Sequence, residues 1–315
     1  MCKSTEKPKF TNLIEVMMHF SDETVCKEYL AEMRWSNGIV CPHCNNDDKI
    51  YTMKNSYKCA KCRRPFSVTK GTIFENSAIP LQKWFAGIWL ITSHKKGISS
   101  LQLHRDLGIT QKSAWFMLQR IRFAIRTKSF AKPLDNIVEM DETYVGGKNK
   151  NRHSDKKVDN AQGRSGKDKT PVFGLVERNG RLVAMRVRKT NRATLMPIIH
   201  QSVSKNARLM TDDHTAYRNL SSIYEHEIVK HSTGEYVVGA CHTNTIEGFW
   251  SLLKRGIIGI YHNVSEKHLD AYVDEFEYRY NTKNITCVER FDKMLSLSNS
   301  RISYKTLTNY ETRTK

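Results

Sequence analysis

The sequence predicts an α/β protein: a mixed five-stranded sheet with helices, preceded by a small cysteine-rich ribbon and a helix-turn-helix-like helical domain. Three observations carry this. Two CxxC pairs, Cys41 with Cys44 and Cys59 with Cys62, stand fourteen residues apart. The stretch from Gly97 to Arg126 reads as helix, glycine turn, helix. Beyond Pro133, short apolar runs bounded by turn residues replace the long helical periods, and two of those runs end in acids.

The 315 residues suit two or three domains, and 39% hydrophobic content is enough for a real core. Lysine and arginine exceed aspartate and glutamate by 51 − 32 = 19. A surplus of that size favours a polyanionic partner, above all nucleic acid; a merely lysine-rich soluble protein is the alternative. No run approaches the roughly 18 apolar residues of a membrane helix, so no membrane partner is expected. The opening MCKSTEKPKF lacks the apolar core of a signal peptide, which points to a cytoplasmic chain. In that reducing compartment eight cysteines favour metal binding over disulfides.

Residues 1–35 form an N-terminal helical segment, with two short helices between Thr11 and Trp35 and Ser21 or Asp22 starting the second. Residues 36–72 follow as a zinc ribbon. KIYTMKNSYKC reads as a hairpin turning near Lys54-Asn55-Ser56, and a hairpin carrying two CxxC knuckles offers four thiolates. Cys41, Cys44, Cys59 and Cys62 would close the coordination sphere of one zinc ion, so the metal is structural. Cys2, Cys26, Cys241 and Cys287 have no such spacing and read as single thiols.

Residues 78–130 are the helix-turn-helix-like DNA-binding domain. LQKWFAGIWLI after Pro80 has core periodicity. Ser99–Asp106 makes a short helix, Leu107-Gly108-Ile109-Thr110 a turn, and Gln111 begins a second helix with Thr110 as its N-cap. Gln111, Lys112 and Ser113 lead that helix, where major-groove readers sit. A plain αα-hairpin is the alternative; the basic tail of the second helix favours DNA.

Residues 134–290 carry the sheet. NIVEMDETYVGG is a strand ending in acids, and PVFGLVERNGRLVAMRVRK a hairpin turning on Asn179-Gly180 as type I′. Ala193–Ser204 is a helix, ARLMTDD a fourth strand and HEIVKHS a fifth. HTNTIEGFWSLLKRGIIG then opens a helix with Asn244 or Thr245 as N-cap, broken by Gly256 and Gly259. A last helix starts near Ser265 with Leu269, Tyr272, Val273, Phe276 and Tyr280 as its apolar stripe. The order β-β-β-α-β-α-β-α is that of a ribonuclease-H-like fold. Residues 148–169, basic and polar, read as a loop insertion, either simply solvated or a phosphate-binding arm. Residues 291–315 read as a C-terminal tail.

Three acids stand out by position: Asp141 at the end of the first strand, Asp212 at the end of the fourth, and Glu247 in the first turn of the following helix. In this fold those places converge. Crowded carboxylates repel one another unless cations neutralise them. Mg²⁺ (or Mn²⁺) prefers such oxygen ligands, and two ions about 3.5–4 Å apart stabilise both the attacking and the leaving oxygen of a phosphoryl displacement. Lys254 lies seven residues beyond Glu247, about 10 Å along the helix, too far to share the metals but able with Arg255 to meet DNA phosphates. A surface ion pair is the weaker alternative, since such pairs need a spacing of three or four. Asp213 should face away from Asp212. Glu139 shares a face with Asp141 and could assist, whereas Glu142 should not. Asn244 could orient water or phosphate, and His214 and His262 read more simply as structural histidines.

Together RWSNGIVCPHC, WFAGIWLITSHKKGISSLQLHRDLGI, VEMDETYVGGK, TDDHTAY and HTNTIEGFWSLLKRGIIGIYH resemble the bacterial insertion-sequence DDE transposases with an N-terminal zinc ribbon. The resemblance (ISXO-type) runs from about Phe20 to Asn281. It implies catalytic acids at Asp141, Asp212 and Glu247 and the following basic residue at Lys254; the 34 residues between Asp212 and Glu247 suit the family's spacing. Some members carry Asn or His in the third place, which Glu247 fills here with an acid. It also implies binding of double-stranded DNA at terminal inverted repeats, hydrolytic cleavage of element ends, strand transfer into target DNA, a homo-oligomer on DNA and a place at the bacterial nucleoid. A nuclease or resolvase of the same fold would share the triad, and a zinc-ribbon regulator with a decayed catalytic domain is a third possibility, against which the retained acids argue.

Overall fold

The computed structural model describes residues 10–126, 132–147, 153–159, 169–229 and 242–308. Elements follow the local signals closely at first. Helix α1 (Leu13–His19) starts where Asn12 accepts from the Glu15 amide, and α2 (Glu23–Arg34) where Asp22 accepts from the Thr24 amide. The ribbon is three short antiparallel strands, β1 (Ile50–Thr52), β2 (Tyr57–Cys59) and β3 (Pro65–Phe66). The last is an addition to the expected hairpin. Helix α3 (Leu81–Ser93) is buried over most of its surface. Helices α4 (Ser100–Leu107) and α5 (Gln111–Ile125) meet at Gly108, whose φ of 57° is the left-handed C-cap that a glycine supplies most easily.

The sheet follows: β4 (Ile137–Val145), β5 (Thr170–Glu177), β6 (Leu182–Arg186), helix α6 (Arg192–Ser202), β7 (Arg208–Asp212) and β8 (Glu225–Val229). Its order is β6-β5-β4-β7-β8. β5 runs antiparallel to β4 and β6, while β7 runs parallel to both β4 and β8. In chain order that is 3-2-1-4-5, the ribonuclease-H-like arrangement. Helices α7 (Asn244–Gly256) and α8 (Glu266–Asn281) complete this unit. The chain then adds α9 (Cys287–Ser296) and α10 (Tyr304–Thr308).

The chain divides into two units: Arg126–Lys283, which holds the sheet, and Met1–Ile125 together with Asn284–Lys315. The sheet is apolar on both faces. Val138, Met140, Phe173 and Leu175 pack with α6 through Leu195 and Ile199. Val172, Val176, Leu182 and Ala184 pack with Ile246, Phe249 and Leu253 of α7 and Val273 and Phe276 of α8. The alternation along β4 therefore turns Glu139, Asp141 and Thr143 toward the α7 face.

Four expectations are corrected. The segment after residue 290 is no tail: a capping box between Thr286 and Glu289 starts α9, and Phe291, Met294 and Leu295 are buried on one helical face. Phe291 meets Phe10 and Phe85 edge-on, so this helix belongs to the other unit's core, and the sheet unit ends at Lys283. The ribbon and the helical segments fall in one unit with α9 and α10. No α-helix joins β7 to β8; twelve intervening residues hold two 3₁₀ turns, Thr215–Tyr217 and Leu220–Ser222. The β5–β6 turn is not type I′. Val176 pairs with Leu182, Glu177 bonds to Arg181, and only Asn179 of the three residues between is left-handed. Gly256 does not break α7, which continues into a π-helical turn, Ile257–Tyr261; a Cβ there would lie 2.1 Å from Phe276 Cζ, so the glycine serves close helix packing. Most of the 148–169 insertion, the end of the expected fifth strand, Cys2 and Cys241 lie outside the described residues. Among the described residues no helix is long and apolar enough to cross a membrane.

Candidate active site and metal centre

The ribbon brings its four cysteines together. One sulfur from each of Cys41, Cys44, Cys59 and Cys62 lies within 4.8 Å of all the others. The Cys41–Cys62 and Cys44–Cys59 sulfurs are each 3.7 Å apart. A disulfide requires about 2.05 Å. The edge of a tetrahedron with metal–sulfur bonds of about 2.3 Å is about 3.8 Å, so the spacing fits four zinc thiolates. The amides of Cys62 and Lys61 donate to Cys59 and lower its thiol pKa, while burial and the three neighbouring thiols raise that of Cys44, so the cluster shares its charge unevenly. Trp35, Tyr57 and Phe66 pack around this cluster.

In the sheet unit Asp141 stands on β4 opposite Gly174 of β5. The indole Nε1 of Trp250 donates to Asp141 Oδ2 at 3.0 Å. That reach depends on Gly174: a Cβ there would lie 2.6 Å from the Trp250 ring. Asp212 is the last residue of β7, 5% exposed, and its Oδ1 accepts from the His214 amide at 3.0 Å. Glu139 and Met210 are register partners in the parallel pair β4–β7, and parallel partners share a face. Met210 packs with Ile137 on that face. Asp141 and Asp212 each lie two residues further, so both belong to the α7 face of strands about 4.8 Å apart. Asp212 ends β7 as expected, but Asp141 is not a strand end: β4 continues past it to Val145, paired with β5 throughout. Asp213 lies outside the strand and is exposed.

Tyr217 reports the charge gathered there. Its fully buried hydroxyl donates to Glu142 Oε1. Burial raises that hydroxyl well above its ordinary value, and the charges of Glu142, Asp141 and Asp212 push it the same way. Glu142, on the other face of β4, is thus committed to the tyrosine.

Glu247 sits in the first turn of α7, exposed, with Oε1 accepting from the Thr243 hydroxyl at 3.0 Å. Neither Asn244 nor Thr245 caps the helix. Thr243 is the N-cap residue, and its side chain makes no cap hydrogen bond. Glu139, wholly buried, instead accepts from the Thr245 and Ile246 amides at 2.8 and 3.1 Å. Asn244, Glu247, Ser251 and Lys254 recur at helical spacing along the exposed side of α7, with the Arg255 guanidinium folded back on Ser251. Among the described residues, the cysteines are the single group of three or more potential ligands at metal-binding distance. The three acids are thus brought near α7 without closing into one ligand set. Their all-oxygen donor chemistry and concentrated negative charge nevertheless fit hard divalent cations.

The remaining candidates are placed as follows. Gln111 donates to Ser100, the Lys112 ammonium stands 5.2 Å over the Tyr304 ring, and Ser113 bonds to Thr110. His214 Nδ1 accepts from the Ala216 amide and His262 Nδ1 lies 3.1 Å from the Ile258 carbonyl, both local structural contacts. Sequence reasoning missed the polar use of Trp250 and the part played by Gly174. A lone glycine inside the apolar strand PVFGLV was the available signal, since it marks close approach by another group.

Residues 133–281 match the model of the ISXO2-like transposase domain, and residues 21–65 match that of a transposase zinc-ribbon domain. The chain is 30% identical over 274 residues to an uncharacterized protein in transposable element ISH50 of Halobacterium salinarum, covering 82% of this chain and 91% of that protein. It is 31% identical over 94 residues to an uncharacterized transposase-like protein of Haemophilus influenzae, covering 30% of this chain and 75% of that one. Among solved structures it aligns with the Mos1 strand transfer complex at 14% identity and a TM-score of 0.25, over 73% of this chain and 82% of that chain, a likeness too weak to bear on fold or function.

Proposed function

The chain belongs to the ISXO2-like transposases, and from that premise we propose that it binds the terminal inverted repeats of its element, cleaves the element ends and joins them to target DNA. The observation that carries this reading is that Asp141 and Asp212 lie on the same face of neighbouring parallel strands, with α7 and its Glu247 alongside.

Asp141, Asp212 and Glu247 would hold two Mg²⁺ or Mn²⁺ ions. Such ions, when bound, stabilise the attacking and leaving oxygens of an in-line phosphoryl displacement. In cleavage a water oxygen attacks phosphorus and the bond to the 3′ oxygen breaks, leaving a 3′ hydroxyl and a 5′ phosphate. In strand transfer that 3′ hydroxyl attacks a target phosphorus and the bond to the target strand's own 3′ oxygen breaks, which leaves as a hydroxyl. No protein nucleophile is needed. Trp250 keeps Asp141 aimed from β4, and the amide of His214 does the same for Asp212. Lys254 and Arg255, on the exposed side of α7, would meet phosphates flanking the reacting one. The α4–α5 pair, led by Gln111, Lys112 and Ser113, would read the repeat in the major groove. Both ends must be held together for joining, so a homo-oligomer would assemble on DNA.

The test mixes purified protein with labelled DNA from the flanks of its own gene, in Mg²⁺ and in EDTA. Metal-dependent nicks at a repeat boundary, absent in Asp141→Asn and Asp212→Asn variants that still bind DNA, support the reading. Binding without cleavage in either Mg²⁺ or Mn²⁺ favours a regulator. Affinity should fall steeply with salt, because phosphate contacts release counterions.

A further inference from the structure

The buried carboxylate of Glu139 has more donors than a core glutamate needs. Oε2 takes the Thr245 and Ile246 amides at 2.8 and 3.1 Å. Oε1 takes the Thr245 hydroxyl at 2.8 Å and the Arg178 Nε at 2.6 Å, and His242 Nδ1 stands 3.3 Å away. Thr245 and Ile246 are the second and third residues of α7. Their amides are two of the donors that a helix start leaves without intrahelical partners, and an N-cap side chain ordinarily serves them. The local candidate, Thr243, turns its hydroxyl to Glu247 instead.

We propose that Glu139 is a positioning residue: it caps α7 from the strand that carries Asp141, and so fixes where Glu247 stands relative to that aspartate. The tie is short on both sides. Glu139 is two residues before Asp141 on β4, and the capped amides are one and two residues before Glu247. The negative carboxylate also meets the positive end of the helix, which makes these hydrogen bonds stronger than a neutral cap's. Arg178 balances the buried charge and locks the same corner. Its amide donates to the Ile137 carbonyl at the start of β4, and its guanidinium donates to the His242 carbonyl just before the helix. A carboxylate with both oxygens so engaged and no exposed surface is a bracket for the helix and not a third or fourth metal ligand. The inference rests on the reading that Asp141 and Glu247 work together, yet the cap is measurable without it.

The experiment compares full-length wild type with Glu139→Gln, which keeps the side chain's shape, removes its charge and replaces one acceptor with an amide donor. Backbone hydrogen exchange is followed by mass spectrometry alongside kcat and KM for end cleavage. The expected result is exchange about tenfold faster across Thr243–Phe249, with β4 and α8 unchanged. The kcat falls about tenfold or more while KM for the DNA end stays within about twofold. Wild-type exchange across α7, or a uniform rise throughout the sheet unit, overturns the proposal; so does an unchanged kcat. Should Glu139→Gln not fold, Thr245→Val removes one donor to the same carboxylate and keeps the β-branched shape. It should slow kcat about two- to fivefold with faster exchange in the same turn, and wild-type values for both overturn the cap. Absence of cleavage by the wild type would count against the transposase reading alone, and the exchange data would still decide the cap.

Discussion

Trp250 Nε1 and Asp141 Oδ2 are 3.0 Å apart, a hydrogen bond between an indole in the wall of α7 and the first acid of the candidate site. Hydrogen bonds to charged groups contribute about 1.5–3 kcal/mol, and this one also fixes which carboxylate oxygen faces the helix. Trp250→Phe keeps most of the ring volume and loses the donor. It should lower stability by about 1–3 kcal/mol and slow end cleavage about tenfold or more, read from a melting curve and a single-turnover assay. Gly174→Ala should do likewise from the opposite strand, since its new methyl would lie 2.6 Å from the indole. Wild-type cleavage in both variants would remove the indole from the site.

Two glycines of α7 should respond oppositely to alanine. At Gly256 the added methyl would lie 2.1 Å from the buried Phe276 ring, and overpacking of this kind costs about 1–3 kcal/mol. At Gly248 nothing lies within 4 Å, so alanine should contribute its helix propensity of up to about 1 kcal/mol. Gly256→Ala should therefore melt a few degrees lower and Gly248→Ala slightly higher than wild type. Equal melting temperatures would contradict the packing of α7 against α8.

The ribbon should depend on zinc. Small thiolate sites gain roughly 10 kcal/mol or more from the metal, which is most of their folding energy. Replacing Cys41 and Cys59 with serine should remove stoichiometric zinc in elemental analysis and alter the emission of Trp35, which packs on the cluster. Stoichiometric zinc in the double variant would overturn the four-thiolate assignment.

His226 should make the sheet unit sensitive to acid. Its Nε2 lies 2.9 Å from Thr211 Oγ1, next to Asp212, and burial depresses its affinity for a proton. The unfolded chain then binds a proton near pH 6.5 that the folded chain refuses, so stability is complete above that pH and falls as pH drops through it. The slope of melting temperature between about pH 7 and pH 5 should be shallower in His226→Gln. An identical slope would assign the acid sensitivity to other groups.

Much of this protein was legible because its signals are local. The CxxC pairs name the zinc ligands by spacing alone, and the cap at Asp22 starts its helix beside itself in the chain. The strand end at Asp212 marks an acid because strand length is a short-range property, whereas Asp141, also read as a strand end, lies in the middle of β4, which runs on to Val145. Errors arose where local rules admit more than one outcome. Asn179-Gly180 suits several turns, and the helical stripe of α9 was hidden in a segment without long apolar runs.

The sequence by itself determined the ribbon, the order of the strands along the chain and the three acids to suspect. Only the tertiary structure decided how those acids are held. Glu139 caps a helix 106 residues away, and Trp250 reaches an aspartate across 109. Chain spacing cannot encode such pairs, because they come together only after strand register and helix docking bring distant residues to one place. A buried carboxylate must then find donors wherever the fold supplies them. Here they are the amides of the helix that carries Glu247.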